Sequence, residues 1–264
     1  MNRNVSGTRM IRKLLIAGLM LAALVAVGSA LAQAPASTPP DSAPAAVAAP
    51  AAAAPPAPAE RIAALKASVQ KDAVALKQYE WIETTSMSLK GEEKSRKQNR
   101  CYYGADGVLQ KVPVGDQPEE KSKKGLRGKA IESKKAEISD YMTKAAAAIK
   151  TYLPPDPAKI QASKDAGKAS LNVLDPGKRA RIDFKDYNVP GDLLGIEIDL
   201  VTNKLLGLQV TTMIEGGKEP VNFQTQYGSL IDGTGYPVKT TLDAPEMSVT
   251  VVVENAGYKK QAAK

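Results

Sequence analysis

The residues that most often carry acid–base or nucleophilic chemistry are scarce in this chain. Its 264 residues include one cysteine, Cys101, and no histidine. The lack of histidine excludes Ser-His-Asp and Cys-His hydrolases and every metal site that needs an imidazole. A single cysteine excludes an internal disulfide, a CxxC redox pair and a zinc site built from several thiolates. We therefore expect no catalytic residue, no cofactor and no metal site, and a protein that is not an enzyme.

One pair of carboxylates has a spacing that general acid–base catalysis could use. Glu197 and Asp199 lie two residues apart, so they share one face of a predicted strand. The same alternation is typical of the solvated face of a strand whose other face is buried, and we favour that interpretation. A carboxylate-based enzyme is therefore the weakest functional hypothesis.

Two further side chains have a structural and a functional interpretation. Trp81 is the only tryptophan; it could stack on a sugar or cover a lipid, but a lone Trp in a small core is usually a packing anchor. Cys101 has no neighbouring base in the sequence, which favours a partly buried small hydrophobe. A crosslink between two chains in an oxidising compartment is the alternative.

The first 34 residues have the pattern of a secretory signal peptide. Basic residues precede an uninterrupted small or apolar run over 14–27, and Ala30-Leu31-Ala32 offers a cleavage site. We expect this segment to be removed from an exported protein. An uncleaved inner-membrane anchor is the alternative, because the run over 14–32 nearly reaches spanning length.

The segment 35–59 is predicted to be a disordered linker. Twenty of its 25 residues are Ala or Pro, which favours extended polyproline II and leaves nothing to bury. Without the segment 1–34 the chain has 32 basic and 28 acidic residues, a net charge of +4. This mild charge does not indicate a nucleic-acid partner.

The remaining residues, 60–264, fit one domain of ordinary size. Apolar residues recur at three- or four-residue steps over 60–78 and 130–153, which predicts two amphipathic helices. Asp156 followed by Pro157 predicts the start of a short third helix. Period-two alternation and tight turns predict about ten strands elsewhere, with 115–168 as a helical insertion.

These elements predict an α+β fold. The short connections favour antiparallel pairing. The consistent alternation predicts a sheet with one apolar face and one solvent-exposed polar face. About ten strands and only two substantial helices predict a strongly curved antiparallel sheet that is covered by two or three helices.

The segment 195–242 resembles the LolA/LolB superfamily of periplasmic lipoprotein carriers. The similar features are a turn at 199–203, a strand reading L-x-V at 208–210, a hairpin at Gly216-Gly217 and a Tyr236-Pro237 step. The N-terminal helix, the long meander and the helical insertion have the same order as in that family. The resemblance implies a periplasmic protein with an unclosed β-barrel, a helical lid and an apolar cavity that takes acyl chains.

The leading hypothesis is a non-enzymatic binder of a hydrophobic ligand, a lipid or an acyl chain that could belong to a lipoprotein, held between sheet and lid helix. The residues predicted to line the cavity are Trp81, Met87, Leu206, Leu208, Val210, Phe223, Val249 and Val251. Those predicted on the lid are Ile138, Met142 and Ile149. The alternative is an envelope protein-interaction or sensor module with a filled core and no ligand.

A basic cluster in the insertion suggests a further partner. It consists of Lys121, Lys123, Lys124, Arg127, Lys129, Lys134 and Lys135. Such a cluster could dock on an anionic membrane surface, although a charge run in a loop is usually only solvated.

Overall fold

The computed structural model describes residues 58–115 and 126–261. In these ranges the helices are α1 (Pro58–Leu76), α2 (Leu126–Lys150), α3 (Pro157–Asp165) and a 3-10 turn at Pro245–Met247. The first five strands are β1 (Tyr79–Leu89), β2 (Glu92–Tyr103), β3 (Leu109–Pro113), β4 (Ala169–Asp175) and β5 (Arg179–Lys185). The others are β6 (Leu193–Asp199), β7 (Lys204–Thr212), β8 (Val221–Ser229), β9 (Gly235–Ala244) and β10 (Val249–Lys260).

All ten strands form one antiparallel sheet in the order β3-β2-β1-β10-β9-β8-β7-β6-β5-β4. The chain therefore makes two meanders, β1–β3 and β4–β10, which join where β1 pairs with β10. Within 58–115 and 126–261, β3 and β4 each have one neighbour and form the two edges, so the sheet is not closed. The predicted α+β fold with a curved, unclosed sheet is confirmed.

The helix boundaries follow from local sequence signals. The side chain of Asp156 accepts a hydrogen bond from the Ala158 amide at 2.8 Å, and Pro157 occupies the first helical position, as predicted for α3. Helix α1 begins at Pro58, so the last two residues of the predicted linker belong to this helix. The predicted signal peptide, the rest of the linker and the loop 116–125 lie outside the described residues. The proposed domain boundaries therefore stay predictions.

Because neighbouring strands are antiparallel, alternate connections lie at the same end of the sheet. The connections 104–108, 176–178, 200–203 and 230–234 share one end, which we call the upper end. The connections β1–β2, β5–β6, β7–β8 and β9–β10 share the opposite, lower end. This division matters because the two halves of the concave face are covered by different helices.

The lower half is a closely packed core under α2. Ala145 and Ile149 on this helix are fully buried, and Tyr152 just after it is 2% exposed. They pack in one cluster with residues from the lower parts of β5 to β9, including Phe184, Leu194, Val210, Val221 and Phe223. Beneath α2 the apolar face is filled by ordinary side-chain packing, and Phe184 lies where this core borders the cavity described below.

A buried polar network fixes the connection between β5 and β6 against this core. The carboxylate of Asp192 accepts hydrogen bonds from the amides of Tyr187, Asn188 and Val189 at 2.5–2.9 Å. It also accepts one from the hydroxyl of Tyr152 at 2.5 Å. These bonds satisfy the buried carboxylate, so we assign it a structural role.

Candidate functional site

The upper half of the concave face encloses a cavity of about 1290 Å³. All ten strands contribute to its wall, and α1 covers it together with α3 and the segment that precedes α3, which contribute Leu153, Ile160 and Lys164. Helix α1 presents Leu65, Val69, Ala73 and Leu76 to the cavity, a stripe with steps of three and four residues. The volume exceeds the roughly 300–1,000 Å³ of most small-molecule sites.

Glycine lets α1 lie close to the sheet at one point. Helix α1 packs on β7 and β9. A Cβ atom on Gly235, at the start of β9, would lie 2.4 Å from the Asp72 carboxylate, so glycine here allows a close approach of α1 to β9. The cavity lies between this contact and the rest of the sheet face.

One end of the cavity, at β1 and β10, is aromatic. Trp81, Tyr103 and Tyr258 all contribute to the wall. The rings of Trp81 and Tyr258 are stacked, with centroids 5.4 Å apart and planes 13° from parallel. The indole Nε1 of Trp81 donates to Asn255 Oδ1 at 3.0 Å. Trp81 is therefore both a packing anchor and a cavity-lining residue.

A buried ion pair lies beside the aromatic end. Lys111 Nζ is 2.6 Å from both carboxylate oxygens of Glu83, and the two side chains are only 11% and 12% exposed. Cys101 is paired with Trp81 on one side and with Lys111 on the other, so all three side chains share the concave face. Glu83 also contributes to the cavity wall.

Cys101 is fully buried in this arrangement. Burial, followed by the neighbouring Glu83 carboxylate, raises the pKa of the thiol to about 12. A thiol with this pKa remains protonated at neutral pH and is a poor nucleophile. The interpretation of Cys101 as a small buried hydrophobe agrees with this geometry.

The cavity is open to solvent at the free edge of the sheet formed by β4. Leu171 and Val173 belong to its wall, yet they are 64% and 59% exposed. They lie opposite Ile182 and Ala180 of β5, which also face the cavity. Among the described residues no strand pairs with the outer side of β4, so the apolar wall ends there.

The structure brings together three of the eleven predicted ligand-binding residues. Trp81, Leu206 and Leu208 line the cavity. The residues that lie outside its wall are Met87, Ile138, Met142, Ile149, Val210, Phe223, Val249 and Val251. Contact of any of these residues with a ligand stays a prediction.

The prediction that α2 forms the lid differs from the observed arrangement. Ile149 is fully buried in the lower core, and Met142 packs against the same core. Val210 and Phe223 lie on the strands beneath that helix and are also fully buried. The cavity is covered instead by α1 and α3, because the apolar face of α2 is already buried in the lower core.

Several lining residues were not predicted, and some carried a signal. The apolar stripe of α1 is visible in the sequence and could have identified the covering helix. Leu205 was not predicted, and it lines the cavity beside the predicted Leu206 at a β-bulge, where Gly207 pairs with Glu197 while Leu205 pairs with Ile198. Neither this bulge nor the contribution of Tyr258 could be read from alternation alone.

The carboxylate pair that could have supported catalysis is engaged in other contacts. Glu197 forms an ion pair with Arg179 at 3.0 Å. One oxygen of Asp199 accepts the amides of Val201 and Thr202 at 2.8 and 3.0 Å, and the hydrogen bond from Thr202 contributes most to lowering the Asp199 pKa. Asp199 therefore stabilises the β6–β7 turn.

Within 58–115 and 126–261, no group of three or more Cys, Asp or Glu residues is placed to hold a metal ion. No helix in this part of the chain combines the length and the apolar character needed to cross a membrane.

Comparisons with known proteins give a likeness of fold. No family model and no curated protein matches the chain. A LolA superfamily protein from Nitrosomonas europaea is similar with 8% identity and a TM-score of 0.32, over 75% of this chain and 95% of that one. A DUF1329 family protein from Desulfovibrio piger is similar with 9% identity and a TM-score of 0.32, over 77% and 94%. Both are likenesses of fold at low identity and say nothing of this chain's family or function.

Proposed function

We propose that this protein binds an apolar ligand, such as an acyl chain of a lipid, in the cavity between the curved sheet and α1. The observation that carries this proposal is the cavity of about 1290 Å³ with mostly aliphatic and aromatic walls. Protein interiors are normally close-packed, so an apolar space of this size indicates a site that an apolar molecule can occupy.

Burial provides the binding energy. Each methylene of an acyl chain that moves from water into the cavity contributes about 0.8 kcal/mol, before the cost of ordering the chain. The charges of Glu83 and Lys111 neutralise each other, so they do not oppose an apolar neighbour. A polar headgroup would remain at the open β4 edge, where the exposed side chain of Lys164 also contributes to the wall.

The remaining parts of the proposal come from the sequence. We propose an exported, periplasmic protein whose domain, 60–264, follows a cleaved signal peptide and an Ala/Pro-rich linker, and which performs no catalysis. The alternative, an envelope protein-interaction module with a filled core, accounts for the half of the sheet beneath α2. It does not account for the space beneath α1.

A cavity-filling variant tests the proposal. Ala180 is 1% exposed and faces the cavity, so Ala180→Phe places a ring inside the binding space. We expect about a tenfold or greater loss of affinity for a fluorescent long-chain fatty acid, because the ring occupies volume that the chain needs. Ala256→Phe is the matched control, since Ala256 is an exposed strand residue outside the cavity wall.

The ligand itself can be identified by native mass spectrometry of the mature protein, followed by organic extraction. A stoichiometric lipid-sized adduct that is lost on extraction would support the proposal. An unliganded mass that stays unchanged after incubation with lipid, together with fatty-acid binding that is equal in Ala180→Phe and Ala256→Phe, would overturn it in favour of the interaction module.

A further inference from the structure

The buried tyrosines outside the cavity wall all have hydrogen-bonded hydroxyls. There are four of them in the described part of the chain, each less than 9% exposed. The partners are Asp232 for Tyr79, Glu246 for Tyr141, Asp192 and Thr212 for Tyr152, and the backbone of Asp156 for Tyr187. This is the normal state of buried polar groups in proteins.

Three tyrosines of the cavity wall differ from these four. Tyr103, Tyr227 and Tyr258 border the cavity, and within 58–115 and 126–261 no protein group forms a hydrogen bond with their hydroxyls. Tyr103 and Tyr258 lie at the aromatic end beside Trp81. Burial, with smaller contributions from neighbours that include the Glu83 carboxylate, raises the pKa of Tyr258.

Tyr227, on β8, has simpler surroundings. Burial alone raises the pKa of its hydroxyl well above the usual range, and no charge or hydrogen bond from the described residues contributes. The phenol therefore stays protonated at neutral pH and has one hydrogen to donate. Its ring packs against the lower core, which holds the hydroxyl in place.

The hydroxyl of Tyr227 faces the cavity. In the described part of the chain, the fully buried side-chain atoms without a hydrogen bond are Arg181 Nε and Asp183 Oδ1. The oxygen of Tyr227 also lacks a hydrogen bond but is not among these sealed atoms, so it contacts open space. Because Tyr227 belongs to the cavity wall, that space is the cavity.

An oxygen atom in the apolar part of the ligand would satisfy this hydroxyl. A plain alkyl chain packed against Tyr227 leaves the hydroxyl without a hydrogen bond, which is a cost that an oxygen acceptor removes. A neutral oxygen fits better than a carboxylate, because no described cation acts on the hydroxyl of Tyr227 and a buried charge would lack compensation.

The acceptor is distinct from a headgroup at the β4 edge. Strand β8 lies four strands from β4 in the sheet, about 19 Å along its surface. A headgroup that remains in solvent at β4 does not reach Tyr227. The oxygen therefore belongs to the chain that enters the cavity.

We propose that the ligand is an oxygenated acyl chain and that the hydroxyl of Tyr227 donates a hydrogen bond to a neutral hydroxyl or keto oxygen along that chain. This inference rests on the proposed function, because it concerns the same cavity. It adds one polar contact to an apolar site, and such contacts fix the orientation and the depth of a bound ligand.

Displacement of the fluorescent fatty acid from the mature protein tests this contact. The competitors are hexadecanoic acid and its derivatives with a hydroxyl at mid-chain or at the ω-carbon. In Tyr227→Phe we expect at least one hydroxylated acid to lose about three- to tenfold in affinity, because one hydrogen bond is removed. Hexadecanoic acid should bind this variant as tightly as the unmodified protein or more tightly.

Tyr102→Phe is the matched control, since Tyr102 is a tyrosine of β2 outside the cavity wall. It should leave the affinity for every competitor unchanged. If Tyr227→Phe shifts no hydroxylated acid relative to hexadecanoic acid, or if Tyr102→Phe shifts them equally, the inference is wrong, while binding of hexadecanoic acid keeps the proposed function. If neither the fluorescent acid nor any competitor binds, the proposed function fails and the inference fails with it.

Discussion

The two halves of one apolar sheet face are buried in different ways. Under α2, side chains as large as Ile149 and Tyr152 meet Phe223 and fill the space completely. Under α1, a cavity of about 1290 Å³ remains between the helix and the sheet. The same strand alternation therefore occurs over a filled core and over a hollow space. Which of the two forms depends on how the covering segments pack against the sheet and not on the alternation itself.

Truncating one leucine in each half should give the largest difference in the free energy of unfolding between the filled and the hollow half. Leu194 is fully buried in the lower core, so Leu194→Ala should reduce the free energy of unfolding by about 3–5 kcal/mol, because it creates a new void. Leu206 borders space that is already empty, so Leu206→Ala should cost about 1 kcal/mol or less. Urea unfolding of both variants measures the difference. Equal losses would contradict the division into a filled and a hollow half.

Removal of one charge should show that the hollow half is nevertheless ordered at its aromatic end. Lys111→Met leaves the carboxylate of Glu83 buried without its partner, which should reduce the free energy of unfolding by about 2–3 kcal/mol. The double variant Glu83→Leu with Lys111→Met should recover most of that loss.

The control for this ion pair is Lys94→Met. Lys94 pairs with Glu92 on the same strand, but these side chains are 44% and 75% exposed. Because exposed ion pairs contribute little, this variant should lose about 0.5 kcal/mol or less. A similar effect in both lysine variants would mean that solvent screens the Glu83–Lys111 pair as well.

The smallest expected effect is a difference in alkaline stability between the halves. Cys101 in the upper half has a pKa of about 12 against about 8.5 in an unfolded chain. The neutral thiol contributes fully to the free energy of unfolding below pH 8.5. This contribution is lost as the pH rises toward 12, because the thiol of the unfolded state releases its proton first. In the lower half, burial and the hydrogen bond to Asp192 raise the pKa of Tyr152 to about 12. The contribution of this hydroxyl to the free energy of unfolding therefore begins to fall only near pH 10.

Unfolding by urea between pH 7 and 10 tests this difference. The unmodified protein should lose stability above pH 8.5, with one proton contributing at most about 1.4 kcal/mol per pH unit. Cys101→Ala should flatten that part of the curve, whereas Tyr152→Phe should leave it unchanged. An unchanged slope in Cys101→Ala would show that the thiol is not held in its neutral form.

Local sequence patterns were sufficient to predict the elements of the fold. The stripe of α1, the Asp156 cap of α3 and the alternation in β1 each depend on neighbouring residues, and the structure contains all three. The site was predicted less well, because Leu and Val look the same whether they line a space or fill one. Leu208 and Val210 lie two residues apart on β7, yet only Leu208 reaches the cavity.

Local sequence patterns also could not predict the pairing of β1 with β10, which completes the cavity wall. Glu83 of β1 lies opposite Asn255 of β10, and nothing in either strand specifies the other as its neighbour. Local patterns could not predict the bulge at Leu206 either, because it depends on how β6 and β7 align over their whole length. Register over such distances follows from the packed structure.

The pairing of β1 with β10 has a consequence for biosynthesis. Trp81 and Glu83 form one side of the cavity, but the strand that joins them to the rest of the wall ends at Lys260. The polypeptide emerges from the ribosome in order from its N-terminus. The hairpins of β1 to β3 are therefore complete some 170 residues before β10, the strand that pairs with β1, has been synthesised. The lower core can condense earlier, around strands that are adjacent in the chain. The cavity itself is therefore complete only after translation has passed the final strand.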